Sequence, residues 1–385
     1  MQRIFLDHNS TTRPLPEVLD AMSAHWRDSF ANPGSRHAEG RTARRSLEDA
    51  RERIAAILGA RPGEVIFTSG GTEAINLAVL GLTPANPATV LLTAGEHPAT
   101  REACRSLERQ GWRLCFVDID SDGRIVEDPL DDLPWSDIRL ATVILAHNET
   151  GVIQDTRALA VRCERFGVPL HLDAVQAVGK MPVNFHNLNA AALSLGAHKF
   201  HGPRGIGALL LREGAALRPR QLGGHQESER RAGTEPVALA VGMAVALEQW
   251  QTQHEERESR LRELRDRLER GLERSCGPAV VNGSRVHRLP NTLNIAFPGV
   301  DGEALLVALD LAGIACSLGS TCASGSSEPA PVLLAMGCPP EVYSSSVRFS
   351  LSFENTLSEI DEAVNRIGQC VGRLRRSVLP TAVNG

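Results

Sequence analysis

The chain has 385 residues, 42% of them hydrophobic, and a formal net charge of −5. That size and apolar content suffice for one large domain and a smaller one, each with its own core. The mild acidity leaves no basic footprint for direct nucleic-acid binding, and no apolar stretch approaches the roughly 18 residues of a membrane helix.

In chain order, short apolar runs alternate with helical patterns. A β-branched and aromatic run, VIFT at 65–68, meets the small residues Ser69, Gly70, Gly71 and Thr72 and then an amphipathic helix. Apolar runs at 90–93, 113–117, 141–145 and 208–211 read as strands, and 171–173 as a short buried strand after a helix end at Phe166-Gly167. This rhythm predicts an α/β fold with a mostly parallel central sheet wrapped by helices. From about 238 to 274 the composition becomes one long helical pattern dense in Glu and Arg, a solvated face with i,i+4 pairs. Beyond it, 292–297 reads as a strand and 301–312 as a helix. We therefore expect a large domain over 15–249 and a smaller α+β domain over 250–385, with residues 1–14 packed on the latter.

Arg supplies nearly all the positive charge, for the chain has only two lysines, Lys180 and Lys199. Lys199 follows Leu195-Gly196-Ala197-His198. Unlike Arg, Lys loses its proton when desolvated and then forms a Schiff base with an aldehyde, of which pyridoxal phosphate is the natural example. Asp173 falls at the C-terminal end of a predicted strand, the edge of an open α/β sheet where ligands bind. Read alone it is a turn or N-cap residue; beside Lys199 it is the carboxylate that keeps a cofactor pyridine nitrogen protonated. The turn from Thr68 to Thr72 is either an ordinary helix cap or a helix N-terminus presenting backbone N–H groups to a phosphate.

This order of a phosphate loop, then Asp173-x-x-Gln176, then Lys199 resembles the fold-type I, class V aminotransferase-like enzymes, and specifically the cysteine desulfurases. Further matching stretches are Leu6-Asp7-His8-Asn9-Ser10-Thr11-Thr12, Asn32 to His37, Glu96-His97-Pro98-Ala99, Asn148-Glu149-Thr150-Gly151, Arg231-Ala232-Gly233-Thr234 and Ser346 to Ser350. A run of small residues around Cys322, from Ser317 to Pro329, resembles the persulfide-forming loop of the long-loop group.

The resemblance implies a residue-by-residue assignment. Lys199 carries pyridoxal 5'-phosphate and moves the substrate Cα proton, Asp173 stabilises the pyridinium, Gln176 bonds the ring hydroxyl, and His97 stacks on the ring and assists proton transfer. Gly71, Thr72, His198 and, from a second subunit, Thr234 hold the phosphate. Asn148 and Arg348 orient the carboxylate of L-cysteine, and Cys322 takes its sulfur, to pass it to a sulfur-acceptor or iron–sulfur scaffold protein or into tRNA thiolation. Gly196-Ala197 stands where the family usually has a Ser-Gly pair on the cofactor phosphate, which predicts weaker cofactor binding. The eight cysteines show no C-x-x-C pair and no His/Cys zinc spacing. With no signal peptide they predict free thiols, no metal, and a cytoplasmic homodimer by family analogy. Two other readings stay open: a related lyase or transaminase, such as a selenocysteine lyase, for which Cys322 is dispensable, and a cofactor-poor relative that serves as a binding partner in sulfur transfer.

Overall fold

The computed structural model describes residues 2–318 and 329–378. The short strand β1 (Ile4–Phe5) leads to helices α1 (Pro16–Asp28) and α2 (Ala38–Leu58). Gly59 ends α2 in the left-handed region at φ 61, a conformation that costs glycine little. A βα rhythm follows: β2 (Val65–Thr68), α3 (Gly71–Leu82), β3 (Thr89–Thr93), α4 (Pro98–Glu108), β4 (Arg113–Val117), β5 (Ile138–Ile144), α5 (Arg157–Phe166) and β6 (Leu170–Asp173). Then come β7 (Ala192–Gly196), β8 (Gly207–Leu211) and the long helix α6 (Val237–Ser275). The remainder comprises β9 (Val280–Val281), β10 (Thr292–Ala296), α7 (Gly302–Leu311), β11 (Ile314–Ala315), α8 (Pro331–Ala335), α9 (Pro340–Tyr343), β12 (Ser346–Ser350) and α10 (Leu357–Val378).

Among the described residues the main sheet has seven strands in the order β2-β8-β7-β6-β5-β3-β4. Only β8 runs against the others, so the α/β class with a mostly parallel sheet is what forms. Strands β2, β3, β6, β7 and β8 are buried along their whole length, as expected where helices cover both faces of a sheet. Strand β5 begins at Ile138, earlier than its continuous apolar run suggests. Ile138 and Leu140 are buried there and flank an exposed Arg139, an alternation too short to stand out in the sequence.

One apolar cluster packs against this sheet and takes Val237, Ala240, Met243, Ala244 and Leu247 from α6. A second gathers around β10 and β12 and takes Leu261, Leu264, Leu268 and Leu272 from the same helix. Helix α6 thus spans both cores. The N-terminal segment does so too: Ile4 and Leu6 lie in the second cluster, whereas Leu15 lies in the first.

A buried ion pair fixes the approach to β2. Arg51 of α2 reaches both oxygens of Glu227 at 2.8 Å, and Glu227 also accepts from the Phe67 N–H at 3.0 Å. Glu227, Ser228 and Glu229 all have positive φ, a strained path for non-glycine residues that the pair holds in place. Glu227→Ala removes the two-pronged partner of the buried Arg51 guanidinium and leaves it only Glu48, on Nε, and the Val65 carbonyl. Urea unfolding should show a loss of about 3–5 kcal/mol, whereas an unchanged midpoint would show that the pair contributes nothing.

Candidate active site

The C-terminal ends of β2, β3, β5, β6 and β7 all open onto one cavity of 710 Å³, within the size range of small-molecule sites. Parallel strands place their C-terminal ends on one edge, so residues far apart in sequence converge there. The end of β2 supplies Ser69 to Thr72, β3 leads to His97, β5 to Asn148 and Glu149, β6 to Asp173 and Gln176, and β7 to His198 and Lys199. Arg348 of β12 and Asp7, Asn9 and Ser10 of the N-terminal segment complete the wall.

Gly71 opens α3, whose first-turn N–H groups lack helical acceptors and carry the positive end of the dipole. A Cβ on Gly71 would stand 2.6 Å from the Val175 side chain, so only glycine fits beside the turn after β6. The Ser69 N–H donates to Glu73 at 2.7 Å, and Arg231 pairs with the same carboxylate at 2.7 Å.

Lys199 Nζ donates to the backbone carbonyls of Asn9 and Ser10, each at 2.8 Å. Burial, reinforced by Arg348, brings its pKa down to about 8. Asp173 is 2% exposed, accepts from the Val175 N–H at 3.0 Å, and is pushed up to about 6 by burial. His97 caps α4, its Nδ1 accepting from the Ala99 N–H at 3.1 Å, which leaves the ring proton on Nε2. Burial, followed by Lys199 and His147, lowers its pKa to about 4, so this ring is neutral near pH 7. Burial and Lys199 lower His198 likewise to about 4.

Arg348 is engaged by two carboxylates, Asp7 at 2.7 Å and Glu149 at 3.1 Å. Asn148 donates to Glu149 at 2.6 Å. Gln176 donates from Nε2 to the Asn9 carbonyl at 2.9 Å. The amide of Asn9 in turn donates to the Asn148 carbonyl at 3.1 Å and to Thr292 at 3.0 Å.

The structure therefore brings Gly71, Thr72, His97, Asn148, Asp173, Gln176, His198, Lys199 and Arg348 around one space. It does not bring Ala197 there. The methyl group of Ala197 is fully buried in the same apolar cluster as that of Leu195, because alternate residues face opposite sides as β7 ends. Gly196 lies behind the turn that opens α3, where a Cβ would come 3.2 Å from the Gly71 nitrogen. Thr234 is exposed and outside the lining of this chain's cavity. Cys322 lies outside the described residues.

Sequence reasoning assigned no role to Asp7, Asn9, Ser10, Glu149 and Arg204, all of which line the cavity. The signal for the first three was the motif from Leu6 to Thr12, but two of them act through backbone carbonyls, which no side-chain pattern reveals. Among the described residues no group of three or more His, Cys, Asp or Glu is placed to hold a metal ion, and the described cysteines form no disulfide. No helix among them is long and apolar enough to cross a membrane.

Known proteins resemble this chain over nearly all its length. It matches the family described as Aminotransferase class-V over residues 4–363. A cysteine desulfurase of Nostoc sp. (strain PCC 7120) is 40% identical over 377 residues, covering 97% of this chain and 94% of the relative. The solved structure of a NifS-like protein superposes with a TM-score of 0.91 at 33% identity, over 97% of this chain and 100% of the other. A structure titled SspA in complex with cysteine superposes with a TM-score of 0.79 at 28% identity, over 91% and 99%. With its sheet order, its cavity at the strand ends and these full-length likenesses, the chain belongs to the class-V aminotransferase family, among the cysteine desulfurases.

Proposed function

We propose that this chain uses pyridoxal 5'-phosphate to convert L-cysteine to L-alanine and leaves the sulfur as a persulfide on Cys322. The observation that carries this reading is the meeting of a desolvated amine, Lys199, with a buried carboxylate, Asp173, and the α3 N-terminus around one cavity. These residues fit the cofactor. Gly71 leaves room for a phosphate at the helix N-terminus, and Asp173 has no ion-pair partner among the described residues and suits a pyridinium. The SspA structure, with its bound cysteine, supports the choice of substrate.

When bound, pyridoxal phosphate supplies an aldehyde for the substrate amine and a protonated ring that withdraws electrons from the substrate Cα. Asp173 holds the ring proton, His97 covers the ring with a neutral imidazole, and Gln176 bonds its oxygen. Gly71, Thr72 and His198 hold the phosphate, joined by Thr234 of a second copy in a homodimer. Gly196 brings no hydroxyl to that end of the site, a loss of about 1.5–3 kcal/mol for one hydrogen bond to a charged group. Asn148 and Arg348 bind the substrate carboxylate, which takes a share of a guanidinium already held by Asp7 and Glu149. Lys199 Nζ removes the Cα proton and later returns one. The Cys322 thiolate attacks the substrate sulfur, the Cβ–S bond breaks, and its electron pair stays with the carbon skeleton, which is protonated to alanine. Sulfur leaves on Cys322 for an acceptor protein, such as an iron–sulfur scaffold, or for tRNA thiolation.

Only the neutral amine of Lys199 attacks an aldehyde. The association rate of pyridoxal phosphate with apoprotein should therefore rise with pH and level off above about 8; continued rise toward the ordinary lysine value of 10.5 would contradict the desolvated amine. Wild type given L-cysteine should release alanine and gain one sulfur on Cys322 by mass spectrometry, whereas Cys322→Ser should yield neither. Equal alanine from both proteins would favour a lyase for which Cys322 is dispensable.

A further inference from the structure

Lys180, the chain's other lysine, has no part in the chemistry above. It follows β6, four residues beyond Gln176, and is only 7% exposed. Its Nζ donates to Asn9 Oδ1 at 2.8 Å and to Gln176 Oε1. Both acceptors are neutral, and among the described residues no carboxylate forms an ion pair with it. Burial, then Lys199 and Arg348, pushes its pKa well below that of an ordinary lysine. A positive charge on Lys180 lowers the pKa of His8, His198 and His201 in turn. Taking an ammonium out of water without a counter-charge costs several kcal/mol, so a methionine or leucine would fill this space more cheaply. What those residues lack is the polar head, and that head holds two amides.

The Gln176 amide lies between a donor and an acceptor. Lys180 offers it N–H groups, whereas the Asn9 carbonyl can only accept, at 2.9 Å from Nε2. Reversing the amide would set its oxygen against the Asn9 carbonyl oxygen, acceptor against acceptor, and would take from the Lys180 N–H the oxygen it donates to. One orientation therefore survives: Oε1 faces Lys180, one Nε2 hydrogen goes to Asn9, and the second remains for the cavity that Gln176 lines.

We propose that Lys180 is a positioning residue that locks the Gln176 amide so that a hydrogen-bond donor, not an acceptor, meets the anionic ring oxygen of the bound cofactor. This role rests on the pyridoxal-phosphate reading above. Lys180 also fixes Asn9, whose carbonyl receives Lys199 Nζ, so a test must separate an effect through Gln176 from one through Asn9 or through charge.

The test uses full-length wild type, Lys180→Met, Gln176→Leu and the double variant. Each is titrated with pyridoxal phosphate for its dissociation constant and for the pH midpoint of the bound cofactor's visible absorbance. Each single change should weaken binding about tenfold, by loss of one hydrogen bond to a charged oxygen, and raise the pH midpoint. The double variant should do no worse than the weaker single, because the lysine acts through the glutamine. Lys180→Met that binds and titrates like wild type overturns the role, as does a double variant in which the two effects multiply. Gln176→Glu places an acceptor toward the cavity with Lys180 intact and should bind more weakly than Gln176→Leu. If it binds as tightly as wild type, the role is overturned even where Lys180→Met does not fold. Wild type that binds no pyridoxal phosphate overturns the function itself, and this role with it, whereas wild-type binding with an unaffected Lys180→Met overturns the role alone.

Discussion

The desolvated, half-buried amine of Lys199 rests on two backbone carbonyls, and among the described residues no carboxylate hydrogen-bonds to it, a constraint on which the rest of the site depends. Neutral acceptors hold an ammonium in place without repaying its desolvation, so the proton is loosely bound and the amine becomes a nucleophile near pH 8. The carbonyls belong to Asn9 and Ser10, in a segment that must be held at both ends. On one side β1 pairs with β11 and the His8 N–H donates to the Ser350 carbonyl at 3.1 Å. On the other, the Thr12 N–H and hydroxyl both donate to the His198 carbonyl, at 2.9 and 3.0 Å. The segment stitches the small sheet to the turn that bears the lysine.

Asn9 shows how much one small residue joins. Its backbone N–H donates to Ser350, its carbonyl receives Lys199 and Gln176, its amide oxygen receives Lys180 and Asn291, and its amide nitrogen reaches Asn148 and Thr292. Around it the ionisable groups set one another's protonation. Arg348 binds Asp7 and Glu149 and at the same time helps depress Lys199. Glu149, wholly buried, has its carboxyl pushed up by burial. In the proposed reaction, a substrate carboxylate that enters beside Arg348 would change the charge seen by the Lys199 amine, which would couple the two events.

Much of this was legible in the sequence. Strand ends marked by an apolar run and a sudden change to polar or small residues located Asp173, Lys199 and the Gly71 turn, because in a parallel sheet that change marks the edge where ligands bind. Side-chain chemistry suggested the roles proposed for Lys199 and Asp173. Ala197 is instructive: it lies just past the end of β7, and its methyl group joins the apolar cluster that holds Leu195 and not the cavity lining. Asn9 and Ser10 stayed hidden because their backbone oxygens carry no sequence signature. Lys180 drew no assignment because nothing local announces its burial, which comes from Asn9, Asn291 and Leu351 far away in the chain.

Because the chain has only two lysines, the attachment point of the cofactor is a direct choice between them. Protein loaded with pyridoxal phosphate, reduced with borohydride and mapped by peptide mass spectrometry should carry the cofactor on Lys199 alone. Cofactor on Lys180, or on neither lysine, would contradict the site described here.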